Sequence, residues 1–179
     1  MIDKKEFDNF FQYFDSVFII DIIDMFAVQQ PEIMGLLEQS IMEHDLVQIR
    51  FWAHKLRTPC GQFHDPVSSK HAALMEEAAR GKILQLIDLV IPDYPDSLKK
   101  MRAELADNLI QDKIIPAKSI RSFLAGFFDT FPEENSAKLE ELEKKIIADG
   151  IPEMYLDLKA SSAALVDELL VMKKTLLSK

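Results

Sequence analysis

Apolar residues recur every three or four positions along most of the chain, the spacing of amphipathic helices rather than the alternation of strands. With caps and breakers as punctuation, this pattern predicts a short helix over residues 4–13, with Asp3 as its cap, and a long second helix over 16–43. Pro31 lies inside the second helix, where it removes one backbone hydrogen bond and bends the axis. A third helix is expected from about Asp45 to Phe63, followed by a connection at His64-Asp65-Pro66. A fourth is expected over 68–80, stopping at Gly81. The apolar stretch 83–91 is then broken by Pro92 and Pro95, ahead of a charged helix over 96–109. Residues 112–116 read as a boundary, and three helices follow over 119–131, 134–148 and 152–177. Gly150 suits the stop of one helix and Pro152 the first turn of the next.

Long helices joined by short links pack economically as antiparallel bundles. The expected fold is therefore all-α: a four-helix bundle formed by residues 1–112, with additional C-terminal helices in 113–179. Composition agrees, because the 179 residues are 48% hydrophobic, enough for a buried core, and include only 5 glycines. The formal net charge of −9 disfavours nucleic acid and anionic lipid as partners. The N-terminus lacks the basic-then-apolar order of a signal peptide. Asp21 and Asp24 interrupt the most apolar run, which is too short to span a bilayer. A soluble cytoplasmic protein is expected, and the single cysteine, Cys60, fits a reducing compartment.

The third helix carries the chemistry. Leu46, Ile49, Ala53, Leu56, Cys60 and Phe63 form one apolar stripe, which must face the interior. At about 100° per residue, His54 lies roughly 140° from the centre of that stripe, between Phe51 one turn before and Thr58 one turn after. It is therefore expected at the surface. Thr58 and Gly61 are small and leave the imidazole uncovered, whereas Phe51 adds apolar surface suited to docking. Arg50 and Arg57, placed at the flank, are candidates for charge-assisted hydrogen bonds to a phosphoryl group. An exposed imidazole, with a reference pKa of ~6.5, is mostly unprotonated at neutral pH and offers a nucleophilic nitrogen.

Over residues 14–81 the chain resembles the histidine-containing phosphotransfer domains of multistep two-component phosphorelays. The resemblance lies in Met25-Phe26, Pro31-Glu32, His44-Asp45, Ile49-Arg50 and above all Ala53-His54-Lys55-Leu56-Arg57, with Leu74-Met75-Glu76-Glu77-Ala78-Ala79-Arg80 on the next helix. It implies that His54 accepts a phosphoryl group from a receiver-domain aspartate and passes it on. Arg57, in place of the family's usual Lys, would assist. Thr58 stands where the family commonly has Gly, and Pro59 where it has a small residue. The implied partners are a response-regulator receiver domain or a hybrid sensor kinase, docking around Phe51, Arg50, Lys55, Thr58 and Gly61. The protein would be a phosphocarrier with no catalytic activity and no cofactor of its own, the magnesium ion coming with the receiver. The alternative is a helical binding module or scaffold that docks a signalling partner through Phe51 without phosphate.

His54, Cys60, His64, Asp65 and His71 do not form a plausible metal site, since Cys60 lies on the core stripe and His54 faces away from it. Neither a Gly-rich phosphate loop nor a paired His-Glu zinc motif occurs. In the C-terminal part, Pro132-Glu133, Leu139, Asp149-Gly150 and Leu158-Lys159 echo Pro31-Glu32, Leu37, Asp45 and Leu56-Arg57. On that alignment Leu156 occupies the position of His54, so 113–179 reads either as a degenerate second copy without its histidine or as ordinary bundle helix.

Overall fold

A computed structural model describes residues 1–90 and 133–178, and every regular element among them is an α-helix. In chain order these are α1 (Lys4–Phe11), α2 (Ser16–Met42), α3 (Leu46–Gln62), α4 (Pro66–Val90), α5 (Glu133–Ala148) and α6 (Ile151–Leu177). Among the described residues no helix is long and apolar enough to cross a membrane. The expected breaks at Pro92 and Pro95, the helices over 96–109 and 119–131, and the boundary at 112–116 lie outside the described residues.

Aspartates start four of the helices. Asp3 accepts the backbone N–H groups of Lys5 and Glu6, Asp15 that of Phe18 and Asp45 those of Val47 and Gln48. Each satisfies donors that have no partner inside the helix. α4 is capped in the same way by Asp65, which accepts from the N–H groups of Val67 and Ser68 and from the Ser68 hydroxyl.

The ends of α2 and α3 are alike. His44 and His64 both have positive φ, 57° and 52°. At the first, the His44 N–H reaches the Ile41 carbonyl and the Asp45 N–H reaches Ser40. At the second, the His64 N–H reaches Gly61 and the Asp65 N–H reaches Cys60. These are paired Schellman closures with histidine where glycine is usual. Each is followed directly by the aspartate that opens the next helix, so α2, α3 and α4 reverse direction in very few residues.

α4 corrects the sequence reading. It does not stop at Gly81 but continues to Val90, because Ala72, Met75, Ala79, Ile83 and Leu86 form one unbroken buried stripe. A glycine inside a helix costs about 1 kcal/mol, less than the ~1.5–3 kcal/mol gained by burying each of Ile83 and Leu86. Pro31 and Pro59 likewise remain inside their helices.

α3 packs along α4 and against α2, and α6 packs against both α2 and α4. The fourth side of this core therefore comes from the C-terminal helix, which contributes Ile151, Tyr155, Leu158, Leu165 and Leu169. Polar contacts along α2 fix the alignment: Gln30 donates to Ser162 at 2.8 Å within the core. Lys173 pairs with Asp24 and Lys159 with Glu38. α1 closes one end, with Phe11 stacked near Phe63, and α5 lies on α4.

Candidate functional site

The apolar stripe of α3 is fully enclosed: Leu46, Ile49, Ala53, Leu56 and Cys60 have no exposed surface, and Phe63 has 1%. That packing fixes the rotation of the helix and turns His54 to its outer side. The imidazole is 44% exposed, half covered rather than standing free. The covering group is Glu76 of α4, whose side chain is only 8% exposed.

Glu76 bridges two residues of α3. Its Oε1 lies 3.0 Å from His54 Nδ1, and its Oε2 accepts from Arg57 Nη1 at 3.2 Å. His54 and Arg57 are three residues apart, so their side chains emerge on one face and meet the same carboxylate, one on each oxygen. An ionised carboxylate only accepts hydrogen bonds, so it selects the tautomer with hydrogen on Nδ1. In the neutral ring the lone pair is then on Nε2.

The charges are consistent with this arrangement. A carboxylate that is nearly buried needs hydrogen-bonded partners, and Arg57 supplies a cation while remaining half exposed. Glu76 flanks the buried positions Ala72, Met75 and Ala79, and the α3–α4 packing holds it against His54. The Glu76 contact therefore fixes the Nδ1 side of the half-exposed imidazole.

Of the other residues expected at the site, Lys55, Thr58 and Gly61 are exposed on the same outer side of α3. Phe51 is half-buried, its ring edge-on to Trp52 with centroids 4.8 Å apart, and the Lys55 ammonium lies 5.5 Å from its centroid. Arg50, one turn before His54 on the same helix, is buried at 9% exposure.

Glu76 was not among the site residues expected from sequence. The signal was an acidic residue beside a small, apolar stripe on the next helix, inside the Leu74 to Arg80 pattern. Its meeting with His54 depends on the register of α3 on α4, which spacing within one helix does not give. Cys60 is enclosed, and burial followed by the charge of Asp65 pushes its thiol up to about 12. His71 turns to the Ser161 hydroxyl of α6 at 3.0 Å. Among the described residues no cluster of three or more His, Cys, Asp or Glu side chains is arranged to hold a metal ion.

No family model matches the chain, and neither a curated protein nor a solved structure matches it.

Proposed function

We propose that this protein is a histidine phosphocarrier of the phosphorelay type, with a four-helix bundle of α2, α3, α4 and α6 presenting His54 to a receiver domain. The observation that carries this reading is the Glu76 carboxylate on His54 Nδ1, which favours the neutral tautomer with its lone pair on Nε2. Nε2 attacks the phosphorus of an aspartyl phosphate on the partner; the N–P bond forms as the P–O bond to that aspartate breaks, and the aspartate leaves as a carboxylate. The product imidazole keeps its Nδ1 hydrogen and is formally cationic. Glu76 stabilises that charge, so no proton has to leave the site during transfer.

Phosphoryl transfer depends mainly on positioning and charge stabilisation. Arg57, half exposed beside the imidazole, is positioned to exchange one hydrogen bond with Glu76 for one with the arriving phosphoryl oxygens. The receiver contributes the magnesium ion and its own acidic groups. A half-exposed histidine suits such a partner, because the two sites complete one another only on docking.

Incubating the intact chain with a receiver domain charged by acetyl phosphate should give an acid-labile, base-stable label in the wild type and none in His54→Ala. Replacing Glu76 by Gln keeps an acceptor near Nδ1 but removes the charge. Charge-assisted hydrogen bonds exceed neutral ones by ~1 kcal/mol, so Glu76→Gln should slow labelling about fivefold. Equal labelling of His54→Ala would dismiss the assignment. The alternative of a docking module without phosphate predicts partner binding that depends on Phe51 and ignores His54; Phe51 is instead already packed by Trp52 and Lys55.

A further inference from the structure

Residues 6–49 contain nine Asp and Glu side chains and neither Lys nor Arg. The remaining acidic and basic residues are equal in number, so the whole formal charge of −9 resides in the stretch that forms most of α1, all of α2 and the start of α3. Asp24 and Glu38 meet lysines of α6. Glu6, Asp8, Asp15 and Asp21 lie at the surface around the α1–α2 turn.

That turn also exposes aromatic rings. Phe10, Phe14 and Phe18 are 47%, 42% and 43% exposed, Tyr13 is 85% exposed, and Val17 beside them is open as well. The rings form a continuous row: Phe14 stacks on Phe18 with centroids 4.9 Å apart, Phe10 lies 5.9 Å from Phe14, and His64 of the α3–α4 turn lies 5.5 Å beyond Phe10. Single exposed apolar residues are ordinary, whereas a contiguous row of aromatic rings beside a cluster of carboxylates marks a contact surface.

We propose that the α1–α2 aromatic row is a docking surface for an amphipathic helix with an apolar face and lysine or arginine flanks. The choice of occupant follows from charge. A second copy would bring the same carboxylate border against itself, and like charges across an interface are strongly disfavoured. Anionic lipid is repelled for the same reason. A basic amphipathic segment places its apolar side chains on the rings and its cations against Glu6, Asp15 and Asp21. This surface differs in sign from the His54 face, where Lys55 and Arg57 meet an acidic receiver pocket, so it addresses a different partner chemistry.

The test uses the full chain and two fluorescent synthetic helices with identical leucine faces, one carrying lysine and the other glutamate on the polar face. Fluorescence anisotropy should show binding of the lysine helix alone. That binding should weaken in 1 M salt, where the screening length falls to ~3 Å. Tyr13→Asp and Phe14→Asp should each lower affinity about tenfold or more; Tyr13 is almost fully exposed, so its replacement serves where Phe14→Asp impairs folding. Equal binding of the glutamate helix, or unchanged binding by Tyr13→Asp, overturns the proposal. So does a molecular mass that rises with concentration in the wild type and not in Tyr13→Asp, which would assign the surface to a second copy.

Discussion

At the scale of single residues, burial decides which reactive groups are active. Cys60 has the chemistry of a nucleophile but lies in the core with its thiol pushed up to about 12, and only the thiolate reacts readily. Native protein should therefore be inert to a disulfide reagent and should titrate one thiol once denatured; fast modification of native protein would contradict the packing of α3. For Asp65, burial alone would raise the carboxyl pKa, yet hydrogen bonds from the Met1 ammonium and from Ser68 bring it below its usual value. A depressed folded pKa contributes stability that is present above the unfolded value, near 4, and lost as pH falls through the folded one. The urea midpoint should thus drop as the medium is acidified below about pH 4, and Asp65→Asn should flatten that dependence. The outward placement of His54 was legible from spacing alone, since six apolar residues fixed the opposite face. Its tether to Glu76 was not, because it joins residues 22 positions apart through a helix register that local spacing leaves open.

Turn chemistry governs the elements. His44 and His64 close α2 and α3 in the left-handed region, where a side chain bearing Cβ costs about 1–2 kcal/mol relative to glycine. His44→Gly should raise unfolding free energy by about 1 kcal/mol, measured by urea denaturation, with no change in helix content; a loss of stability would show that the histidine side chain supports the turn. The His-Asp pairs were visible in the sequence as breaks between helices, and the aspartates carried the usual cap signal. Gly81 resembles a stop, but the apolar positions Ile83 and Leu86 continue the same stripe beyond it and α4 runs on to Val90. Period outweighed punctuation there, as burial of two large side chains exceeds the cost of one glycine.

For the whole molecule, the decisive feature is that α6 completes the core begun by α2, α3 and α4. The sequence supports bundle packing in general terms and assigns a four-helix bundle to residues 1–112, of which the helix over 96–109 lies outside the described residues; nothing local marks the C-terminal helix as a partner of α2. The Gln30–Ser162 hydrogen bond and the Asp24–Lys173 pair supply that choice in three dimensions. α6 buries five large side chains, each worth ~1.5–3 kcal/mol, a sum comparable with the ~5–15 kcal/mol net stability of a domain. A fragment of residues 1–112 should accordingly show a weak, broad thermal transition and regain a cooperative one when residues 113–179 are added; a sharply folding fragment would contradict the shared core. The packing of α3 along α4 is also what sets Glu76 against His54, the contact on which the proposed chemistry rests. The most direct measurement of that chemistry is nitrogen-15 NMR of histidine-labelled protein phosphorylated by phosphoramidate. A single phosphohistidine is expected at position 54, bonded through Nε2 with Nδ1 still protonated; a phosphoryl group on Nδ1, or on another histidine with His54 unmodified, would contradict the proposed role of Glu76 and His54.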